Sequence, residues 1–192
     1  RYKMKKLQDI VQLKSGLPQS RIVESFDDNA PNYYVYGQQE LENDLVGIEA
    51  GQENPKMIRT EDSVDTLEKG DIVFSLISGR ATIVTASHHG YIYSQNYVKV
   101  TPEAGINRRY LVYILNESNN FRKQWASTLQ GSIILKYTVK QLGALKLPKM
   151  HSVEKQGLIG KIYFEELRLK ALRYRVADNE KTIVFDKMKE IE

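Results

Sequence analysis

The C-terminal segment of the sequence constrains the fold most strongly, because neither glycine nor proline occurs after Gly160. As a single α-helix, residues 161–192 would span about 48 Å at about 1.5 Å per residue. Apolar residues in and just before this segment alternate at spacings of four and three, which is typical of a coiled-coil seam. These seam residues are Leu158, Ile162, Leu169, Leu172, Val176 and Ile183, and Glu165, Asn179 and Asp186 occupy the other seam positions.

A helix of this length extends beyond any body that residues 1–150 can form, so we expect its seam to pair with a second helix. The alternative is that the segment folds back as a helical hairpin near Asp178 and Asn179. An asparagine at a seam position also fixes the register of coiled coils, so Asn179 is compatible with both structures.

Residues 1–150 combine strand-like and helix-like patterns, which predicts an α+β fold with a mixed, β-rich body and short helices. Strands are predicted at Tyr33–Tyr36, Ile72–Ile77 and Ala81–Ala86, and residues 91–100 also alternate. Helices are predicted at Gln38–Leu45, from Asn107 to about Asn119, and at Phe121–Leu129, with Thr138 capping a further short turn. We expect Trp125 in the core, and the tyrosines of 33–36 either in the core or lining a groove.

Charge is distributed unevenly along the chain. Residues 27–71 carry three basic and twelve acidic side chains, whereas residues 72–148 carry nine basic and two acidic ones. A nucleic acid would bind most favourably at the second segment, unless its charges are spread over the folded surface. The absence of cysteine excludes disulfides, thiolate metal sites and cysteine nucleophiles. No apolar run is long enough to span a membrane and none follows the basic Arg1–Lys6, so we expect a cytoplasmic protein.

A series of short motifs then carries a resemblance to a known family. They are Leu7–Ile10 leading to Ser15-Gly16, Gly70–Val73, Tyr110-Leu111, Gln130–Ser132 with Lys136-Tyr137, Leu145–Pro148, and Glu154–Gln156 with Ile159. In this order they resemble the specificity (S) subunit of type I restriction–modification enzymes, from Leu7 to about Ala177. The chain resembles one target recognition domain, residues 1–150, followed by one conserved spacer helix, residues 151–192.

The resemblance implies a non-catalytic subunit that recognises one half of a bipartite site in double-stranded DNA. It implies methyltransferase (M) and restriction/motor (R) subunits as partners, which would contain the S-adenosylmethionine, ATP and Mg²⁺ chemistry, with no cofactor in this chain. A full S subunit has two recognition domains and two spacers, so this chain resembles a half-subunit. The resemblance further implies a homodimer whose long helices pair as an antiparallel coiled coil.

Candidate DNA-contacting residues are polar or basic side chains at the predicted strand ends and loops. They are Lys14, Ser15, Gln19, Arg21, Arg80, His88, His89, Gln95, Asn96, Gln130, Ser132, Lys136 and Tyr137. The candidates in the first hundred residues also have ordinary interpretations as turn or hairpin-tip residues. The segment from Gln130 to Tyr137 has the best family match, and its ordinary interpretation as a helix C-cap accounts for Gly131 but not for its polar neighbours. Gln95 and Asn96 have the side chains that read adenine in bidentate fashion.

Two other classes of function are considered for this sequence, a protein-binding adaptor and an enzyme. A coiled-coil adaptor whose body binds protein would share the long helix but would hold the basic charge of 72–148 in surface ion pairs. An enzyme would need a nucleophile, base or metal cluster, and the sequence contains neither a phosphate-binding glycine motif nor a convincing metal site. The adjacent His88 and His89 are expected to point apart on a strand, so a metal site is not predicted there.

Overall fold

The computed structural model describes residues 4–48, 55–128 and 137–191. These ranges contain seven strands and five α-helices. The strands are β1 (Val11–Ser15), β2 (Asn32–Tyr36), β3 (Met57–Arg59), β4 (Ile72–Ser75), β5 (Ala81–Ile83), β6 (Ile92–Tyr93) and β7 (Tyr97–Pro102). The helices are α1 (Gln38–Val46), α2 (Arg108–Glu117), α3 (Asn119–Ser127), α4 (Val139–Ala144) and α5 (Val153–Lys189). The predicted α+β class, with its long C-terminal helix, is confirmed.

Two sheets form the centre of the body. One has the strand order β1-β7-β4-β5 and is antiparallel throughout, and the other has the order β3-β2-β6, with β2 and β6 parallel. Strand β4 is buried along its whole length because both of its faces are covered. Ile72 and Phe74 join the core shared with the helices, whereas Val73 joins a second core with Tyr36 and Tyr97. A strand buried on both faces explains the uncharged run in the sequence.

The alternating stretch at residues 91–100 is two strands rather than one. Tyr97 N–H donates to the Ser94 carbonyl at 3.0 Å and closes a turn over Ser94–Asn96. Strand β6 before the turn pairs with β2 in the three-stranded sheet, and β7 after it pairs with β1 and β4 in the four-stranded sheet. The polar turn Ser94–Asn96 therefore stands where the chain crosses from one sheet to the other.

Helix α5 is continuous over 37 residues, so the hairpin alternative near Asp178 is wrong. Its first half packs on the body through a stripe that includes Gln156, Gly160, Tyr163 and Leu167. Gly160 is needed for this packing, because a Cβ atom there would lie 2.6 Å from the Tyr110 backbone nitrogen. Beyond residue 171 every described side chain of the helix is exposed.

Aromatic residues follow the expected division between core and surface. Trp125 is buried and its ring meets Phe74 edge-to-face at 5.1 Å, as predicted for a core residue. Tyr36 is also buried, whereas the half-exposed Tyr34 stacks on Tyr91 at 5.2 Å. No helix among the described residues is both long enough and apolar enough to cross a membrane.

Candidate nucleic-acid interface

Two of the polar segments selected from the sequence lie side by side. The chain leaving β1 pairs with the Ser94–Asn96 turn through a parallel bridge between Leu17 and Ser94. Ser15 Oγ donates to the Gln95 carbonyl at 3.3 Å, and Gly16 N–H donates to the Tyr97 carbonyl at 3.2 Å. A Cβ atom on Gly16 would lie 2.1 Å from the Tyr93 carbonyl oxygen, so only glycine permits this approach.

Next to this turn, the body carries a cleft of about 540 Å³ that we name the carboxamide cleft. Its lining consists of Val35–Glu40, Lys56, Ile77 and Ser94–Tyr97. Four of these side chains are carboxamides, those of Gln38, Gln39, Gln95 and Asn96. The sequence predicted the last two but missed Gln38 and Gln39, because no local signal shows that the start of α1 faces residues 94–97.

A buried network that includes Tyr36 from the lining of the carboxamide cleft holds the C-terminal half of α1 against the sheets. The Asp44 carboxylate is fully buried and accepts hydrogen bonds from Tyr36 Oη at 2.8 Å and from Thr85 Oγ1 at 2.6 Å. His88 Nδ1 lies 2.8 Å from the same carboxylate. Burial, together with the nearby Asp44 charge, raises the pKa of Tyr36 well above its usual value, so its hydroxyl stays a donor.

The amino end of α1 is neutralised from within the helix. The Glu40 carboxylate accepts a hydrogen bond from the Gly37 N–H at 2.8 Å and is itself buried. An acidic side chain at this position offsets the positive end of the helix dipole. The carboxamide cleft therefore offers amide donors and acceptors rather than an anion site built by the helix terminus.

Lys14 lies near the end of β1, just before the loop that follows this strand. Its side chain is largely exposed and forms an ion pair with Asp65 at 2.8 Å. Tyr93 Oη also donates to that carboxylate. Burial opposes ionisation of Asp65, but the hydrogen bonds from Lys14 and Tyr93 outweigh it and lower the pKa of Asp65. Arg21 is exposed in a 3₁₀ turn at the far end of the same loop. The structure does not describe the side chain of Gln19 in that turn.

The two histidines do not fit the positions expected for them. They lie in and after a 3₁₀ turn rather than on a strand. His88 is buried on Asp44 and meets the ring of Tyr36 edge-to-face at 5.8 Å, so it offers DNA no accessible surface. His89 is exposed and its Nδ1 lies 3.0 Å from Glu68 Oε2. No cluster of three metal-ligating side chains occurs in the described part of the chain.

Arg80 and Tyr137 lie with the helices rather than at the carboxamide cleft. Arg80 lines a crevice that also contains Asn116 and Trp125. Tyr137 stacks on the Trp125 ring with a centroid distance of 3.9 Å, and burial raises its pKa. Gln130, Ser132 and Lys136, the segment with the strongest family resemblance, lie outside the described residues. Among the described candidates, Gln95 and Asn96 thus line the carboxamide cleft, whereas Arg80 and Tyr137 lie beside α3.

The seam of α5 faces away from the body. Ile162 is two positions beyond the buried Gly160, a rotation of about 200° around the helix axis. Ile162, Leu169 and Val176 accordingly keep about half of their surface exposed, at 50%, 40% and 55%. The other seam residues are exposed as well, namely Leu158, Leu172 and Ile183. The helix can therefore pack on its own body and present the seam to a second helix at the same time.

Comparison with solved structures supports this architecture. The chain aligns with the HsdS subunit from Thermoanaerobacter tengcongensis at a TM-score of 0.57 and 14% identity, covering 91% of this chain and 39% of that one. It aligns with the type I restriction–modification S subunit from M. genitalium at a TM-score of 0.54 and 19% identity, covering 96% and 44%. This chain has the fold of half an S subunit.

A third alignment, to a chain of a type I R–M system solved for its complex assembly and conformational transition, has a TM-score of 0.59 and 14% identity. It covers 97% of this chain and 43% of that one, so this chain spans about two fifths of the length of the solved chains. No family model matches the sequence, and neither does a curated protein. The resemblance carried by the short motifs is confirmed at the level of the fold.

Proposed function

We propose that this chain recognises one half of a bipartite DNA site as the specificity component of a type I restriction–modification system. The observation that carries the proposal is the S-subunit fold, which extends over more than nine tenths of the chain. In this proposal residues 1–150 bind DNA and residues 151–192 form the spacer and dimerisation helix. The chain is not itself an enzyme, and partner M and R subunits supply the methylation and cleavage chemistry.

Two copies of the chain would pair through the seam of α5. In an antiparallel pair, the exposed half of each helix lies beside the body-packed half of the other, which places the two bodies at opposite ends. A two-fold protein of this shape reads a two-fold DNA site, with the separation of the half-sites set by the helices. The complex is proposed to act in the cytoplasm of a bacterium or archaeon, where it has access to DNA.

The experiment that tests the DNA role is a methylome. The chain is co-expressed with its methyltransferase partner in a host free of adenine methylation, co-purification is confirmed, and the modified adenines are sequenced. We expect a palindromic bipartite motif with a fixed spacer. Unlike halves would show that a second, different recognition domain takes part. Co-purification without any methylated motif would overturn the DNA role.

Dimerisation is tested by placing charge in the seam. We expect the double variant Leu169→Glu with Leu172→Glu to sediment as a monomer and to lose the bipartite motif, because buried unpaired carboxylates oppose helix pairing. Lys181→Glu is the matched control, since residue 181 lies about 200° around the helix from the seam position Asn179. A dimer that survives the double substitution would disprove pairing through this seam.

The adaptor alternative predicts a different response to salt. Neutralisation of DNA phosphates by lysine and arginine releases counterions, so the affinity for a duplex falls steeply as salt increases. We expect a clearly negative slope of log affinity against log salt concentration for this chain on duplex DNA. A flat response with weak binding would favour a body that binds protein.

A further inference from the structure

The carboxamide cleft is chemically unlike a phosphate site. Its lining residues of ordinarily charged type are Lys56 and Glu40, and the Glu40 carboxylate already accepts a hydrogen bond from the Gly37 N–H. Phosphates are bound chiefly by cations and backbone amides, whereas base edges are read by side chains that both donate and accept hydrogen bonds. A cleft lined by four carboxamides belongs to the second type of surface.

Two of the four carboxamides are available to a ligand. Gln95 and Asn96 use backbone atoms in the turn, where Gln95 O accepts from Ser15 Oγ and Asn96 O accepts from Leu76 N–H. Within the described residues, their side-chain amides make no hydrogen bond. Gln95 lies exposed at the centre of the turn, and Asn96 is partly exposed beside it. Their amides are therefore positioned at the rim without a partner in the described part of the protein.

The other two carboxamides are held in place. Gln38 Nε2 donates to Glu42 at 3.1 Å and Gln38 Oε1 accepts from Ser75 Oγ at 3.4 Å. Gln39 Nε2 donates to Asn43 Oδ1 at 3.1 Å, which leaves its oxygen able to accept a further bond. Side chains that are already ordered lose little conformational entropy when a ligand binds. This wall of the cleft is therefore fixed before DNA arrives.

Residues around the cleft can supply the other contacts that recognition of a DNA groove needs, which are apolar contacts to bases and cationic contacts to phosphates. Ile77 is 65% exposed at its edge and offers an apolar surface, the kind of group that contacts a thymine methyl. Lys14 near the end of β1, which is paired with Asp65, and Arg21 in the loop that follows are both exposed. Cations beside a neutral reading surface can hold the phosphate backbone while the amides reach the bases.

We propose that the carboxamide cleft is the base-reading site of the half-subunit, and that Gln95 and Asn96 read adenine in the major groove. Gln38 and Gln39 line the opposite wall as ordered secondary contacts. Asparagine and glutamine bind the N6 and N7 edge of adenine in bidentate fashion, which predicts at least one adenine in the half-site. This inference rests on the proposed function and specifies which residues determine its sequence preference.

The test is selection from a library of random DNA duplexes by the full chain in complex with its methyltransferase partner, followed by sequencing. We expect Gln95→Ala and Asn96→Ala each to abolish the preference at one or two positions. Affinity for the wild-type selected duplex should fall about 5- to 150-fold, the range for one bidentate base contact. The slope of log affinity against log salt should stay unchanged, because no phosphate contact is lost.

Gln95→Glu gives a sharper result than removal of the side chain. A carboxylate only accepts hydrogen bonds, so it should favour the N4 amino group of cytosine over adenine at the contacted position. Asn119→Ala is the matched control, because Asn119 is an exposed carboxamide at the start of α3, away from the cleft. We expect the control to select the wild-type motif with wild-type affinity.

The outcomes separate this inference from the function on which it rests. A wild-type motif with Gln95→Ala, Asn96→Ala and Gln95→Glu alike would overturn base reading by the cleft and leave the DNA role intact. An equal fall in affinity on all sequences would also overturn base reading while leaving the DNA role intact. If the wild-type complex enriches no sequence at all, both the inference and the proposed function fail.

Discussion

The two halves of α5 belong to one continuous helix but differ in how much of their surface packs on the body. The first half, Val153–Ala171, lies on α2 and α1 of its own body through a stripe of small and aromatic residues. In the second half, Leu172–Lys189, every side chain is exposed, and Tyr174 at its start lines a crevice with Leu45 and Arg80 of the body. Yet the second half is also rich in exposed apolar residues, which are Leu172, Tyr174, Val176, Ile183, Val184, Phe185 and Met188.

This difference indicates that the apolar side chains of the second half add little to the stability of the single chain. Most helical stability in proteins comes from packing of an apolar face rather than from intrinsic propensity, and this half gains little such packing in the single chain. Thr182, Ile183 and Val184 are consecutive β-branched residues, which lower helix propensity further. A second helix on the seam would supply the missing burial, so the difference between the halves supports the proposed pairing.

The largest expected effect comes from breaking the packed half at Gly160. Gly160→Leu would force a side chain against the Tyr110 backbone nitrogen and Arg109. We expect a loss of about 3 kcal/mol in the free energy of unfolding, which lowers Tm by about 6–12 °C for a chain of this size. Thermal unfolding followed by circular dichroism measures it.

Gly157→Ala is the matched control for Gly160. A Cβ atom there has its nearest neighbour, Asn107 Nδ2, at 3.9 Å. Alanine is the better helix former, so stability should stay the same or rise by up to about 1 kcal/mol. Equal destabilisation by both substitutions would contradict the close contact of α5 with α2.

The next effect concerns Asn116, a buried side chain at the junction of β5, α2 and α5. Its Oδ1 accepts from Ala81 N–H at 2.7 Å, and its Nδ2 donates to the Ala81 carbonyl at 2.9 Å and to Tyr163 Oη at 3.1 Å. Asn116→Ala leaves the Ala81 N–H and carbonyl without these partners, whereas Tyr163 Oη keeps its bond to Glu117, and we expect the substitution to cost about 2 kcal/mol in a urea titration. Asn119→Ala, an exposed asparagine nearby, should cost under about 0.5 kcal/mol.

A smaller effect is expected at alkaline pH from Tyr163, in the packed half of α5. Burial, the largest cause, raises the pKa of Tyr163 to about 12, with a further contribution from Glu117, whereas the bond from Asn116 opposes the rise. The folded protein then holds this proton more tightly than the unfolded chain, whose tyrosines titrate near 10. Stability from this group is present below pH 10 and is lost as pH rises toward 12.

Tyr163→Phe removes the titrating group and tests this sign. The variant should lose less stability than the wild type between pH 10 and pH 12, although it starts lower at pH 7 because the bonds to Asn116 and Glu117 are gone. Urea titrations at the two pH values measure the difference. Identical pH dependence in both proteins would argue against a buried Tyr163.

The smallest effect on the single chain should come from the exposed half. Ile183→Ala removes a seam side chain that is more than half exposed, so the monomer should change by less than about 0.5 kcal/mol. The same substitution should weaken the dimer measurably, because the side chain would be buried there. Sedimentation over a range of concentrations separates the two quantities. A large loss in the monomer would show that this half already packs on something in the single chain.

Local patterns predicted much of this structure. The correct predictions concern features set within one element or by its nearest neighbour. They are the helix after Asn107, the buried strand from Ile72 and the long helix in the glycine-free tail. The turn at Ser94–Asn96 was not predicted, because apolar and polar residues alternate on both sides of it. Its three polar residues are nevertheless typical of turns. The order of the strands and their division into two sheets depend on pairings between residues far apart in the sequence, which local patterns do not show.

The candidate site also depends on contacts between residues that are far apart in the sequence. His88 is adjacent to no carboxylate in the sequence, and its partner Asp44 lies 44 residues away. Gln38 joins Gln95 only because β2 and β6 pair in parallel, a contact that no periodicity reveals. Gln95 and Asn96 were found because polar residues at a strand end are a local signal.

The buried network under the carboxamide cleft has a consequence for how such a protein can evolve. This network consists of hydrogen bonds to Asp44 from Tyr36 and Thr85, together with the contact of His88. The amides of Gln95 and Asn96 take no part in it. Under the proposed function, substitutions at the rim would therefore alter the DNA sequence that is recognised without loosening the fold beneath it. A new specificity would then require few changes, and the stable intermediates between two specificities would be accessible by single mutations.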